Sequence, residues 1–163
     1  MTIDFDNLNV LVVADSLPLK KLLVSVLKTN GMKNILAAEN GQKWFLLFCN
    51  HSPSVVLADW DMVSMSAMEL TQKIRHDSQS PNRKTPVVLI ASGIAARTHI
   101  TETRDAGVTA FVLKPFSAND LVECITHVIN DAREFINCPA YFGPSRRRKT
   151  KSVYTGPFRR TTD

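Results

Sequence analysis

Asp15, Asp59 and Lys114 are the residues best placed by type to do chemistry, and each sits at the end of a short apolar run. Two carboxylates brought together repel, and a divalent cation is the usual means of keeping both ionised. Oxygen ligands that leave water positions open suit Mg²⁺, which keeps several waters and binds phosphate oxygens. A lysine opposite them neutralises a phosphoryl group as a point charge. The three side chains would make a coherent site for forming an aspartyl phosphate with Mg²⁺. Asp15 has an alternative role as a cap for the helix after it. The alternative for Lys114 is an exposed, solvated side chain.

The elements that must position these residues alternate along the chain. Residues 9–14 form a nearly continuous β-branched run, the mark of a strand buried on both faces. Leu19, Leu22, Leu23, Val26 and Leu27 then recur at helical spacing, and Asn30-Gly31 supplies a stop. Further strands are predicted over 34–38, 55–59, 86–91 and 110–113, and further helices over 41–49, 66–77, 97–106 and 118–135. Ser117 is placed to cap the last helix, with Asp120 in its first turn. Five strands alternating with five helices predict a doubly wound, flavodoxin-like α/β fold with a parallel sheet in the order 2-1-3-4-5. Ligands of such sheets sit beyond the carboxyl ends of the strands, where the strand order reverses. Asp15, Asp59, Ala91, Ser92 and Lys114 all fall on that edge.

Hydrophobic residues make up 44% of the 163 residues and charged residues 21%, as in a globular protein. No apolar run approaches the roughly 18–20 residues that cross a bilayer, and the first residues lack a signal-peptide pattern, so a cytoplasmic location is expected. Cys49, Cys124 and Cys138 lack metal-ligand spacing and read as reduced thiols. His51, His76, His99 and His127 lie on separate segments and read as ordinary surface residues. There is no Gly-rich phosphate loop and no nucleophile with a paired base, which argues against a small α/β enzyme.

Three stretches in this order carry a family resemblance: Val10-Leu-Val-Val-Ala-Asp15, Val56-Leu-Ala-Asp59-Trp-Asp-Met62, and Ala106-Gly-Val-Thr-Ala-Phe-Val-Leu-Lys114-Pro115-Phe116. With them, residues 8 to 135 resemble the receiver domain of two-component response regulators, especially the single-domain chemotaxis kind. The resemblance implies that Asp59 is the phosphoacceptor. It implies that Asp15 and Asp59 ligate Mg²⁺ together with the backbone carbonyl of Asp61. Lys114 matches the family's lysine, and the Lys114–Pro115 bond is expected to be cis. Ser92 is a candidate phosphate contact, although strand alternation turns it to the other face from Ala91. The implied partners are a sensor histidine kinase or phosphotransfer protein, and a downstream target on the face of the fourth helix, fifth strand and fifth helix, around Thr98, Phe111 and Val122.

The sequence departs from the family pattern at several of these positions. The first member of the acidic pair after strand 1 is Ala14, so a water-mediated metal contact is lost and weaker Mg²⁺ binding is expected. The switch hydroxyl at the end of strand 4 is replaced by Ala91. The aromatic switch position holds Phe111, which has no hydroxyl to anchor either state. Val63 stands at the usual proline, and Ser66-Ala67 at the usual Asp-Gly.

Residues 1–137 are expected to form the receiver, and residues 138–163 a flexible basic tail. From Tyr141 to Asp163 there are seven Lys/Arg and one acid; residues 1–140 hold 13 Lys/Arg and 14 Asp/Glu. The positive excess therefore belongs to the tail. Two copies of Tyr-x-Gly-Pro-x-Arg-Arg run from Tyr141 through Arg146 and Arg147, and from Tyr154 through Arg159 and Arg160; Arg148 follows the first. Gly-Pro favours a turn or extended conformer, and arginine suits bidentate phosphate recognition. Three roles fit: docking on an acidic protein surface, binding a phosphorylated ligand, or salt-sensitive contact with nucleic acid or anionic lipid. In composition alone the tail resembles those of receiver-like cyclic dinucleotide effectors. Two functions are thus expected of different kinds: a non-enzymatic phosphoacceptor, or a phosphorylation-independent pseudo-receiver acting through its tail.

Overall fold

The computed structural model describes residues 4–38, 43–63, 65–130, 135–138 and 141–144. A 3₁₀ turn over Phe5–Asn7 leads into β1 (Asn9–Val13), followed by α1 (Leu17–Thr29), β2 (Asn34–Ala38), α2 (Lys43–His51), β3 (Val55–Asp59) and α3 (Ala67–His76). Then come β4 (Val87–Ser92), α4 (Gly93–Thr98), α5 (Ile100–Ala106), β5 (Ala110–Lys114) and α6 (Ala118–Ile129). The first five strands form one parallel sheet in the order β2-β1-β3-β4-β5.

Alternation along the strands divides the core between the two faces of the sheet. Val10, Val12, Leu57, Ile90 and Val112 pack with Leu23 and Leu27 of α1 and with Leu121, Ile125 and Val128 of α6. Leu11, Val13, Val56, Leu89 and Phe111 pack on the other side with Trp44 and Phe48 of α2 and Leu70 and Ile74 of α3. Helix caps fix where the chain leaves each strand. Ser16, Ser66 and Ser117 each accept a hydrogen bond from the backbone N–H three residues on. At Ser117 the Asp120 carboxylate returns the bond, completing a capping box.

Two predicted helices need correction. The helix expected over 97–106 is two short helices that begin at Gly93 and break at His99. Ser92 caps the first by accepting from Ala95 N–H at 3.1 Å. His99 has φ −110° and ψ 19°, and Thr98, Ile100, Thr101 and Thr103 around it are poor helix formers. The helix expected over 118–135 ends at Ile129, where Asn130 closes the last turn with its own N–H.

Beyond α6 the chain forms an antiparallel hairpin of β6 (Phe135–Cys138) and β7 (Tyr141–Pro144). The hairpin straddles the junction placed between residues 137 and 138, and the Tyr-x-Gly-Pro part of the first repeat is strand β7. Along the backbone β7 lies close to α3 and α5. Arg146, Arg147, Arg148, Tyr154, Arg159 and Arg160 lie outside the described residues.

A buried arginine, invisible to pattern reading, braces α3. Arg75 is fully buried, and its guanidinium donates to the carbonyl oxygens of Arg83, Thr85 and Gly107 at 2.7, 2.7 and 2.9 Å. It thereby ties the long loop before β4 to the end of α5, where Gly107 takes the left-handed φ of +94° that favours glycine. Among the described residues no helix is long and apolar enough to cross a membrane.

Candidate functional site

Register places the acidic residues side by side. Val13 of β1 pairs with Ala58 of β3, so Asp59 lies one residue past that pair and Asp15 two. Neighbouring strands are about 4.8 Å apart, so both carboxylates share the carboxyl edge of the sheet. Lys114 ends β5 two strands away, level with Ser92 of β4. Its side chain closes the distance: Nζ donates to Asp59 Oδ1 at 2.8 Å and lies 3.6 Å from Asp61 Oδ2. The Asp59 side chain is 3% exposed, Lys114 30% and Asp61 73%. One ammonium thus bridges a buried and an exposed carboxylate. The Lys114–Pro115 bond is cis, as expected.

Asp15 does not cap α1; Ser16 does. Its carboxylate instead accepts the Val63 N–H at 2.6 Å, which holds the loop after β3 across the end of β1. Val63, at the usual proline position, can make that bond only because it has an N–H.

The remaining site residues are less directly engaged. Ala91 is fully buried on β4, and Ser92, one residue on, spends its acceptor on the cap of α4. Phe111 is 1% exposed and packs in the core, pairing along the sheet with Leu89. It is thus a core aromatic, while on the face expected to carry the output Thr98 is exposed and Val122 half-buried.

Three features of the site were not legible from residue types. The Asp61 carboxylate itself reaches toward Lys114, where the resemblance assigned only its carbonyl. Trp60, directly after Asp59, lays its ring against His99 at 4.9 Å between centroids and 34° between planes. His99 is half-buried at the break between α4 and α5, with Nδ1 3.3 Å from Glu102 Oε2. It is thus a contact residue of the site and not an ordinary surface histidine. The aromatic next to Asp59 and the histidine just before Ile100 were both visible in the sequence, but only the helix break brings them together.

Residues 10–126 match the family model of the response regulator receiver domain. The chain belongs to the response regulator receiver family. Chemotaxis protein CheY1 of Helicobacter pylori is 28% identical over 123 residues, spanning 75% of this chain and 97% of that protein. Chemotaxis protein CheY-3 of Vibrio cholerae is 29% identical over 117 residues, spanning 72% and 88%. Among solved structures, the chemotaxis response regulator CheY4 of Vibrio cholerae superposes with a TM-score of 0.66 at 22% identity, covering 74% of this chain and 98% of that one. The response regulator from Bermanella marisrubri does so at 0.66 and 17%, covering 75% and 98%. The receiver fold therefore accounts for the five-stranded body, and the tail lies beyond the matched residues.

Receiver domains generally bind Mg²⁺ at their acidic site, and the donors here fit it in kind. Asp15 and Asp59 supply hard carboxylate oxygens on adjacent strand ends, and the Asp61 carbonyl belongs to the same loop. Asp15, Asp59 and Asp61 on this edge sum with Lys114 to a formal charge of −2, which a divalent cation would balance, but among the described residues no three such side chains are gathered as they stand to hold one.

Proposed function

We propose that this receiver is a stand-alone response regulator that accepts a phosphoryl group on Asp59 from a histidine kinase or phosphotransfer protein and signals in the cytoplasm by protein contact. The observation that carries the reading is the buried Asp59 carboxylate held by Lys114 at 2.8 Å beside Asp15 on the neighbouring strand. An Asp59 carboxylate oxygen would attack the donor phosphorus in line, breaking its bond to the donor's histidine nitrogen and forming an acyl phosphate. When bound by Asp15, Asp59 and the Asp61 carbonyl, Mg²⁺ would neutralise charge on the phosphoryl oxygens. Lys114 already faces the reacting carboxylate, and its ammonium would pass from Asp59 and Asp61 to the incoming phosphoryl group. That exchange would alter the ends of β4 and β5, and with them the face of α4, α5, β5 and α6.

Intact-mass spectrometry after incubation with Mg²⁺ and acetyl phosphate tests this reading. The expected outcome is a gain of one phosphoryl mass on the wild type and none on Asp59→Asn. No gain on folded wild type, beside a receiver that reacts, refutes it.

A second reading is favoured by Ala14 and Ala91, both fully buried and both without the polar group that the family uses there. In it the receiver is a scaffold and the arginine-rich repeats take a partner or a phosphorylated ligand such as a cyclic dinucleotide. The position of β7 against α3 and α5 supports this, because the first repeat starts on the receiver body. Replacing the paired arginines of both repeats by glutamine would then abolish cyclic dinucleotide binding, while Asp59→Asn leaves it intact. The reverse pattern rejects the scaffold reading.

A further inference from the structure

A second basic feature lies outside both the acidic site and the tail. Helix α1 and the edge strand β2 border a groove of about 400 Å³ that is largely open to solvent. Two adjacent rows of α1 line it, at the i, i+4, i+8 spacing that makes ridges on a helix. One row is Lys20, Val24 and Lys28; the other is Lys21, Ser25 and Thr29. Ala37, exposed on β2, faces them as the sheet's contribution. Among the described lining residues none is acidic. Lys21 and Lys28 are exposed and, among the described residues, neither belongs to an ion pair. Lys20 is 7% exposed.

This composition selects a class of occupant. The two exposed ammonium groups call for at least two negative charges, and a diphosphate supplies them in a compact form that lysine neutralises well. The Ser25 and Thr29 hydroxyls add donors for phosphate or ribose oxygens. Most of the remaining surface, at Val24 and Ala37, is apolar, which suits a flat base more than a bare inorganic ion. The volume falls in the range of small-molecule sites, about 300–1,000 Å³, and is too small for a partner helix. We infer that the α1–β2 groove is a binding site for a nucleoside diphosphate or a phosphorylated molecule of that size, separate from phosphoryl acceptance at Asp59.

The test is an NMR titration of the isotope-labelled full chain with ADP, with adenosine and pyrophosphate as separate arms. Expected are saturable shifts from Lys20 to Thr29 and at Ala37 with ADP, weaker binding of pyrophosphate, and none of adenosine. The double variant Lys21→Gln/Lys28→Gln, at two exposed positions, is expected to weaken ADP by about ten-fold, roughly 1.4 kcal/mol. The double variant Lys21→Arg/Lys28→Arg keeps both charges and is expected to bind within a few-fold of wild type. ADP shifts confined to residues 146–160 would overturn the inference in favour of the arginine tail. It is overturned equally if the glutamine variant binds as wild type, if pyrophosphate binds as tightly as ADP, or if ADP produces no shift. Asp59→Asn should leave the binding unchanged, so failure here is distinguishable from failure of phosphorylation.

Discussion

Lys114→Met asks directly whether the charges of the acidic cluster are coupled. The lysine end of its pair with Asp59 is 30% exposed and the carboxylate end 3%, with 2.8 Å between them. Exposed ion pairs contribute about 0–1 kcal/mol, whereas breaking a buried pair costs about 3–5 kcal/mol. A pair wet at one end lies between, so a coupling of about 2 kcal/mol is expected. The signs follow from the formal charges of Asp15, Asp59, Asp61 and Lys114. Removing the ammonium takes the cluster from −2 to −3 and strands a buried carboxylate, so Lys114→Met destabilises. Asp59→Asn takes it from −2 to −1 and is expected to be neutral or stabilising. In the Asp59→Asn background, Lys114→Met returns the cluster to −2 with no buried carboxylate at position 59, and costs little. Urea unfolding of the four proteins without divalent cation, followed by far-ultraviolet circular dichroism, gives the coupling directly. Added Mg²⁺ should stabilise Lys114→Met more than wild type, because no ammonium then competes for Asp59. A coupling below about 0.5 kcal/mol with equal urea slopes would refute the argument, since that is the scatter of independent sites.

Burial pushes the Cys124 thiol up from its ordinary 9.0 to about 12. At pH 8 iodoacetamide should therefore label it about a thousand-fold more slowly in the folded chain than in urea, as read by peptide mapping; equal rates refute the burial. Because the folded value is the raised one, its contribution to stability is complete below about pH 9 and is lost as pH rises toward 12. His99→Ala removes the ring contact with Trp60 and should lower stability by about 0.5–1 kcal/mol. Beryllofluoride with Mg²⁺ should then shift the amides of α4 and α5 less than in wild type, and an undiminished response would deny the contact any role in coupling.

The body of the fold was legible because its signals were local. A nearly continuous β-branched run marked β1, short apolar runs marked the other four strands of the sheet, leucine spacing marked α1, and right-handed crossovers left few topologies, of which 2-1-3-4-5 was the leading one. The same logic put Asp15, Asp59 and Lys114 on one edge. What escaped depended on competition between local choices. Ser92 belongs to β4 by pattern, yet its hydroxyl starts α4, so the helix opens four residues before the apolar pattern suggests. Asn130 stops α6 although the composition up to Phe135 still suits a helix. Arg75 at the end of α3 carries no pattern signal of its own, and only the loop returning before β4 turns it into a buried brace. The side-chain role of Asp61 depends on where a lysine 53 positions later ends its strand, which no local pattern encodes.

The substitutions at Ala14 and Ala91 bear on how a receiver of this kind would switch. Both positions are fully buried, so a hydroxyl or carboxylate there would need a partner in a dry environment, and alanine needs none. The hydroxyl next in line, on Ser92, is engaged in capping α4. If Asp59 takes a phosphoryl group, the end of β4 therefore has no hydroxyl at position 91 to draw toward it, and Lys114 remains the cation already in contact. Movement can still pass along the loop after β3. The Trp60 N–H donates to the Ile90 carbonyl at 2.9 Å, and its ring rests on His99. A shift of the Asp59 backbone would displace that ring, and with it the break between α4 and α5, without any rotation of a residue at position 91. Phe111, closed into the core beside Leu89, has no hydroxyl with which to hold an outward state. The physical chemistry thus favours a switch driven by charge at Lys114 and carried by the Trp60–His99 contact over one that depends on hydroxyl and aromatic rotamers.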